Sequence, residues 1–250
     1  MNTWLDPVRE ALDHRDRQLR CFFRDDDAGW ANRQLDHLLD LFAKRDLPID
    51  LAVIPASLTD TLTDALLDRI EHRAERIGLH QHGYTHSNHE QRGRKYEFGN
   101  ERSYLQQLTD IRHGWRILRE RLDGHLQPIF TPPWNRCTQS TVEALQALGF
   151  KGLSRDIGAK PLAIGIIEEF PVHIDWCKKQ RDGSCGNRWL ASRLVERITD
   201  SDVLGIMLHH ENLDDVELCR LEQLIKLMGD HQTVRFVPMK EASSEKYTLH

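Results

Sequence analysis

Apolar residues along the chain alternate between two spacings. Compact runs such as Ile49–Ile54 are typical of buried strands, whereas the apolar residues between Asn32 and Arg45 recur every three or four positions, as on one face of a helix. Strand and helix patterns succeed one another some seven times. Such alternation indicates parallel βαβ units, arranged either as a doubly wound sheet or as a closed or distorted barrel.

The spacing assigns most of the chain to elements. It predicts helices over residues 7–12, 32–45, 58–70, 100–122, 141–148, 188–199 and 214–228, and strands over 18–24, 49–54, 127–131, 150–154, 165–175, 202–208 and 233–237, with a further short strand ending at Leu79. The core face of the long fourth helix includes Leu105 and Trp115. No composition shift or Pro/Gly/Ser linker divides the sequence, so one domain over residues 1–250 is expected.

Composition excludes several classes of protein. Apolar residues make up 39% of the chain, enough for a core, and the net charge of −5 argues against a nucleic-acid-binding surface. The apolar runs are too short to cross a membrane, and no basic-then-apolar leader is visible at the N-terminus. Five scattered cysteines without a Cys-x-x-Cys pair argue against a disulfide framework. We therefore expect a reduced, cytoplasmic protein.

Polar clusters follow four of the predicted strands. These are Asp25–Asp27, the histidines His80, His82 and His86, the segment Pro132–Asn135, and His209–Glu211. The carboxyl ends of parallel strands share one face of an α/β domain, so these segments are expected to meet there. The strand ends are therefore the candidate functional site.

The histidines and aspartates together indicate a metal site. His82 and His86 have the spacing that places two imidazoles on one side of a turn, and imidazole is a common ligand of divalent metals. The adjacent aspartates would repel one another unless a cation or buried donors lie nearby, although a helix cap or Asx turn leading into Gly29 would also use them. Combined with histidines from another strand, they favour a mixed Asp/His site for zinc or a similar metal.

From about Cys21 to Glu211 the sequence resembles the polysaccharide deacetylases of carbohydrate esterase family four. The segment Arg24–Ala28 is similar to the first family motif, which implies Asp26 as general base and Asp27 as metal ligand; a register shifted by one would select Asp25 and Asp26 instead. His82 to His86 is similar to the second motif and implies both histidines as metal ligands. Gly83 replaces the usual hydroxyl residue of that motif, and His80 lies outside it in a supporting or structural role.

The remaining motifs are looser. Thr131–Trp134 resembles a groove-lining motif in which the family has an Arg that holds the catalytic Asp and a backbone N–H that binds the oxyanion; Thr131 replaces this Arg, and Arg24 or Arg155 is the candidate substitute. The resemblance implies substrate-binding roles for Trp134 and Asn135. Asp175 and Trp176 resemble the fourth motif, which buttresses the site, and the resemblance implies that both also bind substrate, Trp176 by stacking on a sugar ring; Trp176 equally fits a buried aromatic. Met207–His209 resembles the fifth and implies His209 as general acid, with His210 as the alternative.

The resemblance implies a distorted (β/α) barrel of about seven parallel strands and a metal-dependent hydrolase acting on carbon–nitrogen bonds. The implied substrate is an N-acetylated carbohydrate and the implied metal is Zn²⁺, with Co²⁺ or Ni²⁺ as alternatives. The same site would also serve a cytoplasmic amidohydrolase acting on a small non-sugar amide. The loss of the Arg at Thr131 is consistent with a third reading, a metal-binding barrel without catalysis.

Two charged loops bear on substrate size, because a loop that caps the site favours a small molecule over a polymer. They span Ser87–Gly99 and Lys178–Arg188, and their composition is typical of solvated surface.

Overall fold

A computed structural model describes residues 3–73, 76–122, 124–177 and 186–242. Nine strands form one sheet, and every strand pair in it is parallel. The strands are β1 (Leu19–Ala28), β2 (Ile49–Val53), β3 (Ile77–His82), β4 (Leu126–Thr131), β5 (Gly152–Leu153), β6 (Glu168–Glu169), β7 (Ile174–Asp175), β8 (Val203–His209) and β9 (Val234–Phe236). The helices are α1 (Asp6–Asp13), α2 (Asn32–Lys44), α3 (Asp60–Arg73), α4 (Tyr104–Leu122), α5 (Gln139–Ala147), α6 (Asn187–Asp200) and α7 (Asp215–Gly229).

The sheet curls into a distorted barrel, as predicted. Its order is β6-β5-β4-β3-β2-β1-β8-β7, with β9 beside the start of β1. The stretch 168–175 begins against β5 and ends against β8, so one interrupted strand joins the two edges. When this stretch is taken as a single strand and β9 is set aside, the ring has the seven strands expected from the sequence.

The observed elements differ from the predicted ones at two informative places. β1 does not stop before the aspartates but continues through them to Ala28, because two of the three carboxylates are buried and have partners. Leu105 is 68% exposed, whereas Leu108 and Ile111 point into the core, so the apolar stripe of α4 begins one turn later than expected. Of the second charged loop, only residues 186–188 lie within the described part of the chain.

Apolar packing surrounds the sheet on its outer face. The largest core cluster joins the helices α1, α2, α3, α6 and α7 to the outward residues of β1, β2 and β8, and a second cluster packs α4 and α5 on β4 and β5. A third, smaller cluster fills the lower barrel and includes Phe22 and Met207. No helix in the described ranges is long and apolar enough to span a bilayer.

The barrel interior becomes polar toward the strand ends. Alternation along β1 places Arg24 and Asp26 on the same face as Phe22, inside the barrel, and puts Phe23 outside against α2. His80 is likewise completely buried. Polar groups this deep must be partnered, and the partners found are those of the candidate site.

A buried carboxylate lies on β2, below the site. Asp50 is 1% exposed, and its Oδ2 accepts a hydrogen bond from the Met239 backbone N–H at 2.7 Å. A side chain at Gly78 would lie 2.0 Å from Oδ1 of Asp50, so only glycine fits on the neighbouring strand. Burial raises the pKa of Asp50 to about 7, although the Met239 hydrogen bond opposes the shift.

This shift makes stability depend on pH. Between the ordinary Asp pKa of 3.8 and about 7 the folded state keeps a proton that the unfolded chain releases, so the free energy of unfolding falls as pH rises through that window. Asp50→Asn keeps an acceptor for Met239 and removes the titration. We expect this variant to be more stable than wild type at pH 8 by roughly 1 kcal/mol or more, with little difference at pH 4. Urea unfolding across this range measures it, with Asp64→Asn on the exposed face of α3 as the control; parallel curves for wild type and Asp50→Asn would contradict it.

Candidate metal and catalytic site

Three predicted ligands meet at the mouth of the barrel. Asp27 lies near the end of β1, His82 ends β3, and His86 follows in the next turn. Nε2 of His82 and Nε2 of His86 each lie 3.1 Å from Oδ1 of Asp27, and the three donor atoms are all within 4.8 Å of one another. One carboxylate and two imidazoles at this spacing fit a divalent metal such as zinc.

The backbone is strained at two of these three residues. Asp27 has φ 70° and His86 has φ 57°, in the left-handed region that non-glycine residues rarely adopt. Such conformations persist only where the surrounding structure imposes them, and they concentrate at functional sites. Here they turn the two side chains toward a common point.

The protonation of the ligands is set by their neighbours. Nδ1 of His82 donates to the carbonyl of Thr131 at 2.9 Å, which leaves Nε2 facing Asp27. Burial favours neutral forms, but the His82–Asp27 contact outweighs it, so the pKa of Asp27 is lowered and that of His82 is raised. Burial and the nearby His82 lower the pKa of His86 to about 4. A divalent cation would displace the proton shared by Asp27 and His82.

Glu97 supports the turn that carries the ligands. It is 1% exposed, and its carboxylate accepts hydrogen bonds from the backbone N–H groups of Tyr84 (3.2 Å) and Thr85 (2.7 Å). A side chain at Gly83, which has φ 54°, would lie 2.1 Å from Oε2 of Glu97. The carboxylate therefore occupies the space of a side chain at position 83, which explains the glycine.

Asp26 is held by Arg24 on the same strand. Nε and Nη2 of Arg24 donate to the two oxygens of Asp26 at 2.8 and 2.9 Å, and Nη1 donates to Oγ of Ser154 at 2.7 Å. Arg24 is fully buried. Burial alone would raise the pKa of Asp26, but Arg24 and the adjacent histidines lower it, so this carboxylate is ionised. Arg155, the other candidate for this role, pairs with Glu169 instead.

Asp25 and His210 form a separate buried pair. Oδ2 of Asp25 accepts from Nδ1 of His210 at 2.6 Å, and Nε2 of His210 donates to the carbonyl of Trp30 at 2.9 Å. Burial lowers the pKa of His210, but Asp25 outweighs it and raises the pKa to about 9. Asp25 and both ring nitrogens of His210 are therefore already hydrogen-bonded. This geometry favours the pair Asp26 and Asp27 over Asp25 and Asp26, and His209 over His210, as the candidates for the predicted roles.

His209 ends β8 beside the aspartates. It is in register with Asp26 on β1 and partly exposed. His80, by contrast, is buried, with Nε2 2.8 Å from Oγ1 of Thr131. Burial and then Arg24 lower the pKa of His80 to about 3, which makes it a neutral supporting residue.

Two indoles flank His86, one of the three predicted ligands. The ring centroid of Trp134 lies 4.6 Å from that of His86 and the centroid of Trp30 lies 4.7 Å from it, both edge to face. Trp134 and Asn135 have φ 56° and 58°, which turns the chain sharply after β4. Asn135, predicted to bind substrate, accepts a hydrogen bond from Nη2 of Arg24 at 2.8 Å.

The structure does not bring the fourth-motif aromatic to this site. Trp176 is 1% exposed, donates from Nε1 to Glu217 on α7 at 3.0 Å, and packs against Trp4. It belongs to the helix–sheet core and is not available to stack on a substrate. Asp175 lies at the end of β7, where its Oδ1 accepts from the Cys177 backbone N–H at 3.2 Å.

Sequence reasoning overlooked two residues at the site. Trp30 follows the aspartates by three positions, and this closeness in sequence was a signal that could have been used. The structure shows that its indole is exposed. Glu97 lies in the loop assigned to solvated surface, and its position just before the core residue Phe98 was the available hint. The prediction for that loop is therefore wrong at Glu97 and Phe98, which are buried.

Comparison with solved structures identifies the fold. A putative polysaccharide deacetylase from Mycobacterium smegmatis superposes with a TM-score of 0.65 at 15% identity, covering 90% of this chain and 89% of that one. A family 4 acetyl xylan esterase from Clostridium thermocellum, in complex with cobalt, gives 0.59 at 15% identity and 89% coverage of both. A CE4 family pseudoenzyme from Bacillus anthracis gives 0.60 at 13% identity, covering 93% of this chain and 67% of that one.

These likenesses establish that the chain adopts the fold of the CE4 polysaccharide deacetylases, which confirms at that level the resemblance seen in the sequence. No protein-family model and no curated protein matches the sequence.

The contacts of Glu97 lead to a prediction about metal affinity. Glu97→Gln replaces one acceptor oxygen with an N–H₂ group that faces backbone donors, so the turn between His82 and His86 loses its support. We expect zinc affinity to fall about 10–100-fold, as measured by competition with a chromogenic chelator. Glu101→Gln, at an exposed position of the same segment, is the control. Equal affinities for wild type and Glu97→Gln would show that the turn holds its shape without this carboxylate.

Proposed function

We propose that this chain is a metal-dependent deacetylase that hydrolyses an N-acetyl group on a sugar or polysaccharide. One observation carries the proposal, namely that three kinds of group lie together. The potential metal ligands Asp27, His82 and His86 lie beside Asp26, whose two carboxylate oxygens both accept hydrogen bonds from the buried Arg24. The partly exposed His209 lies on the adjacent strand, in register with Asp26. An Asp base, a His acid and an open metal site together suit amide hydrolysis. The fold shared with CE4 deacetylases supports the assignment.

Asp27, His82 and His86 would hold the metal, with Zn²⁺ as the best fit and Co²⁺ or Ni²⁺ as alternatives. When bound, the metal would polarise the acetyl carbonyl and lower the pKa of the attacking water. Three protein ligands would leave positions open for substrate, as in catalytic rather than structural sites.

The protein's own groups would move the protons. Asp26, kept ionised and oriented by Arg24, would take a proton from the attacking water as general base. The backbone N–H of Trp134 would stabilise the oxyanion as it develops. His209 would then protonate the departing nitrogen, because an amide anion is a very poor leaving group.

The aromatic walls of the site suit a sugar substrate. Trp30 and Trp134 present aromatic surface on both sides of His86, as expected where a sugar ring is bound. A small non-sugar amide would use the same catalytic groups. The likeness to a pseudoenzyme makes a barrel without catalysis the second candidate, and the experiment must separate it from an enzyme.

Two substitutions separate metal binding from turnover. We expect His86→Ala to lose the metal and all acetate release, whereas Asp26→Asn keeps about one zinc per chain and loses at least about 100-fold in kcat, because it removes only the general base. Plasma mass spectrometry and acetate release from N-acetylated oligosaccharides are the measurements, with Asp64→Asn as the control. Metal binding without acetate release by the wild type would favour the non-catalytic barrel; release only from small amides would favour the amidohydrolase.

Arg24 is expected to act through Asp26. Arg24→Lys keeps the buried charge but cannot make the two parallel bonds, so kcat should fall about 10-fold or more while KM and zinc content stay close to wild type. The double variant Arg24→Ala/Thr131→Arg offers a guanidinium from a buried position at the end of β4. It should recover activity over Arg24→Ala alone, a result that a purely structural role would not produce. Thermal unfolding of each variant checks that the barrel is intact.

A further inference from the structure

The loop Ser87–Gly99 forms one wall of the site and is firmly anchored. Glu97 binds the ligand-bearing turn, and Phe98 packs in the second core cluster. The backbone N–H of His89 donates to the carbonyl of Tyr96, and that of Tyr96 to Oδ1 of Asn88, both at 2.9 Å. The segment of exposed residues between these anchors is therefore held at both ends, and Lys95 at its C-terminal end contacts Trp134 of the site.

Those exposed residues are cationic. Arg92, Arg94 and Lys95 follow one another within four positions, and Nη1 of Arg136 donates to the carbonyl of Lys95 at 3.2 Å. We call these four residues the basic wall. Within the described ranges of the chain, no carboxylate lies at ion-pair distance from any of them. The nearest acidic residues in sequence are occupied: Glu97 binds the turn, and Oε1 of Glu90 accepts from the Glu101 backbone N–H.

Lys95 connects the basic wall to the metal ligands. Its Nζ lies 5.7 Å from the ring centroid of Trp134, and that ring contacts His86. The ammonium group and the His86 imidazole thus contact the same indole ring. A cation–π contact of this kind holds the charge at the rim of the site.

The charge is local to this wall. The whole chain carries a net charge of −5, so a basic surface is not its general character. Neighbouring cations without counterions repel one another and attract anions from solution. A neutral oligosaccharide would gain no electrostatic binding energy from the basic wall. An anionic group near the acetamide would reduce the repulsion between its cations.

We propose that the substrate of this site bears a negative charge, a carboxylate or a phosphate, close to the acetamido group, and that the basic wall binds it. This proposal rests on the deacetylase function proposed above and narrows its substrate class from N-acetylated carbohydrates to anionic ones.

The test compares three substrate classes at low ionic strength: neutral N-acetylglucosamine oligomers, oligosaccharides that also contain a uronic acid, and phosphorylated N-acetylhexosamines. We expect wild-type kcat/KM to favour one anionic class over the neutral one by about 10-fold or more, and the preference to shrink in 0.5 M salt. The favoured class identifies the anion as carboxylate or phosphate. In Arg92→Gln/Arg94→Gln/Lys95→Gln the preference should fall about 10-fold, mainly through KM. The control Arg9→Gln/Lys226→Gln/Arg235→Gln makes the same charge change elsewhere and should keep it.

Two results would overturn different claims. Acetate release at equal efficiency from neutral and anionic substrates, in wild type and triple variant alike, would overturn the anionic substrate and leave the deacetylase intact. Release from none of them would overturn the deacetylase. Calorimetric titration of the same compounds into the zinc-loaded protein would then decide the role of the basic wall: tighter binding of an anionic class, weakened by the triple variant, supports it, and equal binding contradicts it.

Discussion

The bidentate pair between Arg24 and Asp26 is the interaction on which the site depends. Both side chains lie inside the barrel, where an unpaired charge costs several kcal/mol, so each charge compensates the other. The remaining donors of Arg24 bind Ser154 and Asn135, which follow β5 and β4. One guanidinium therefore links the residues that follow β4 and β5 to the Asp26 carboxylate on β1.

The cluster of Asp27, His82 and His86 above this pair depends on turns as well as on strands. Asp27, His86 and Trp134 all adopt left-handed backbone conformations, and each directs its side chain over the mouth of the barrel. Regular strands would alternate these side chains between the two faces of the sheet. The strain is offset by contacts below, of which the Glu97 carboxylate is the clearest, and the result is a donor set arranged before any cation arrives.

Hydrophobic spacing was sufficient to predict most elements and a parallel α/β domain, because the strands are compact and the helices amphipathic. The choice of a barrel over a doubly wound sheet came from the resemblance to the deacetylases. The convergence of Asp27, His82 and His86 could also be predicted, since parallel strands end on one face. What sequence could not supply was the choice of partner. From sequence alone, Arg24 and Arg155 are equally good candidates to bind the catalytic Asp. Only the packing of the folded chain shows that Arg155 forms an ion pair with Glu169 instead. Trp176 looks the same in sequence whether it faces a groove or the core, and its environment is decided by Trp4 and α7, which lie far away along the chain.

The barrel is paired less extensively where it closes than where the candidate site lies. The stretch 168–175 joins the two edges through two residue pairs with β5 and two with β8, whereas β1 and β8 pair over seven. Every group assigned to the chemistry lies on or just after β1, β3, β4 or β8, in the densely paired arc. Local opening costs least where cross-strand bonds are fewest, so the seam is the weakest part of the ring. The seam can thus open locally while the donor atoms of Asp27, His82 and His86 keep their spacing. Ser154 links the two sides, because it binds both Arg24 and the carbonyl of Phe170.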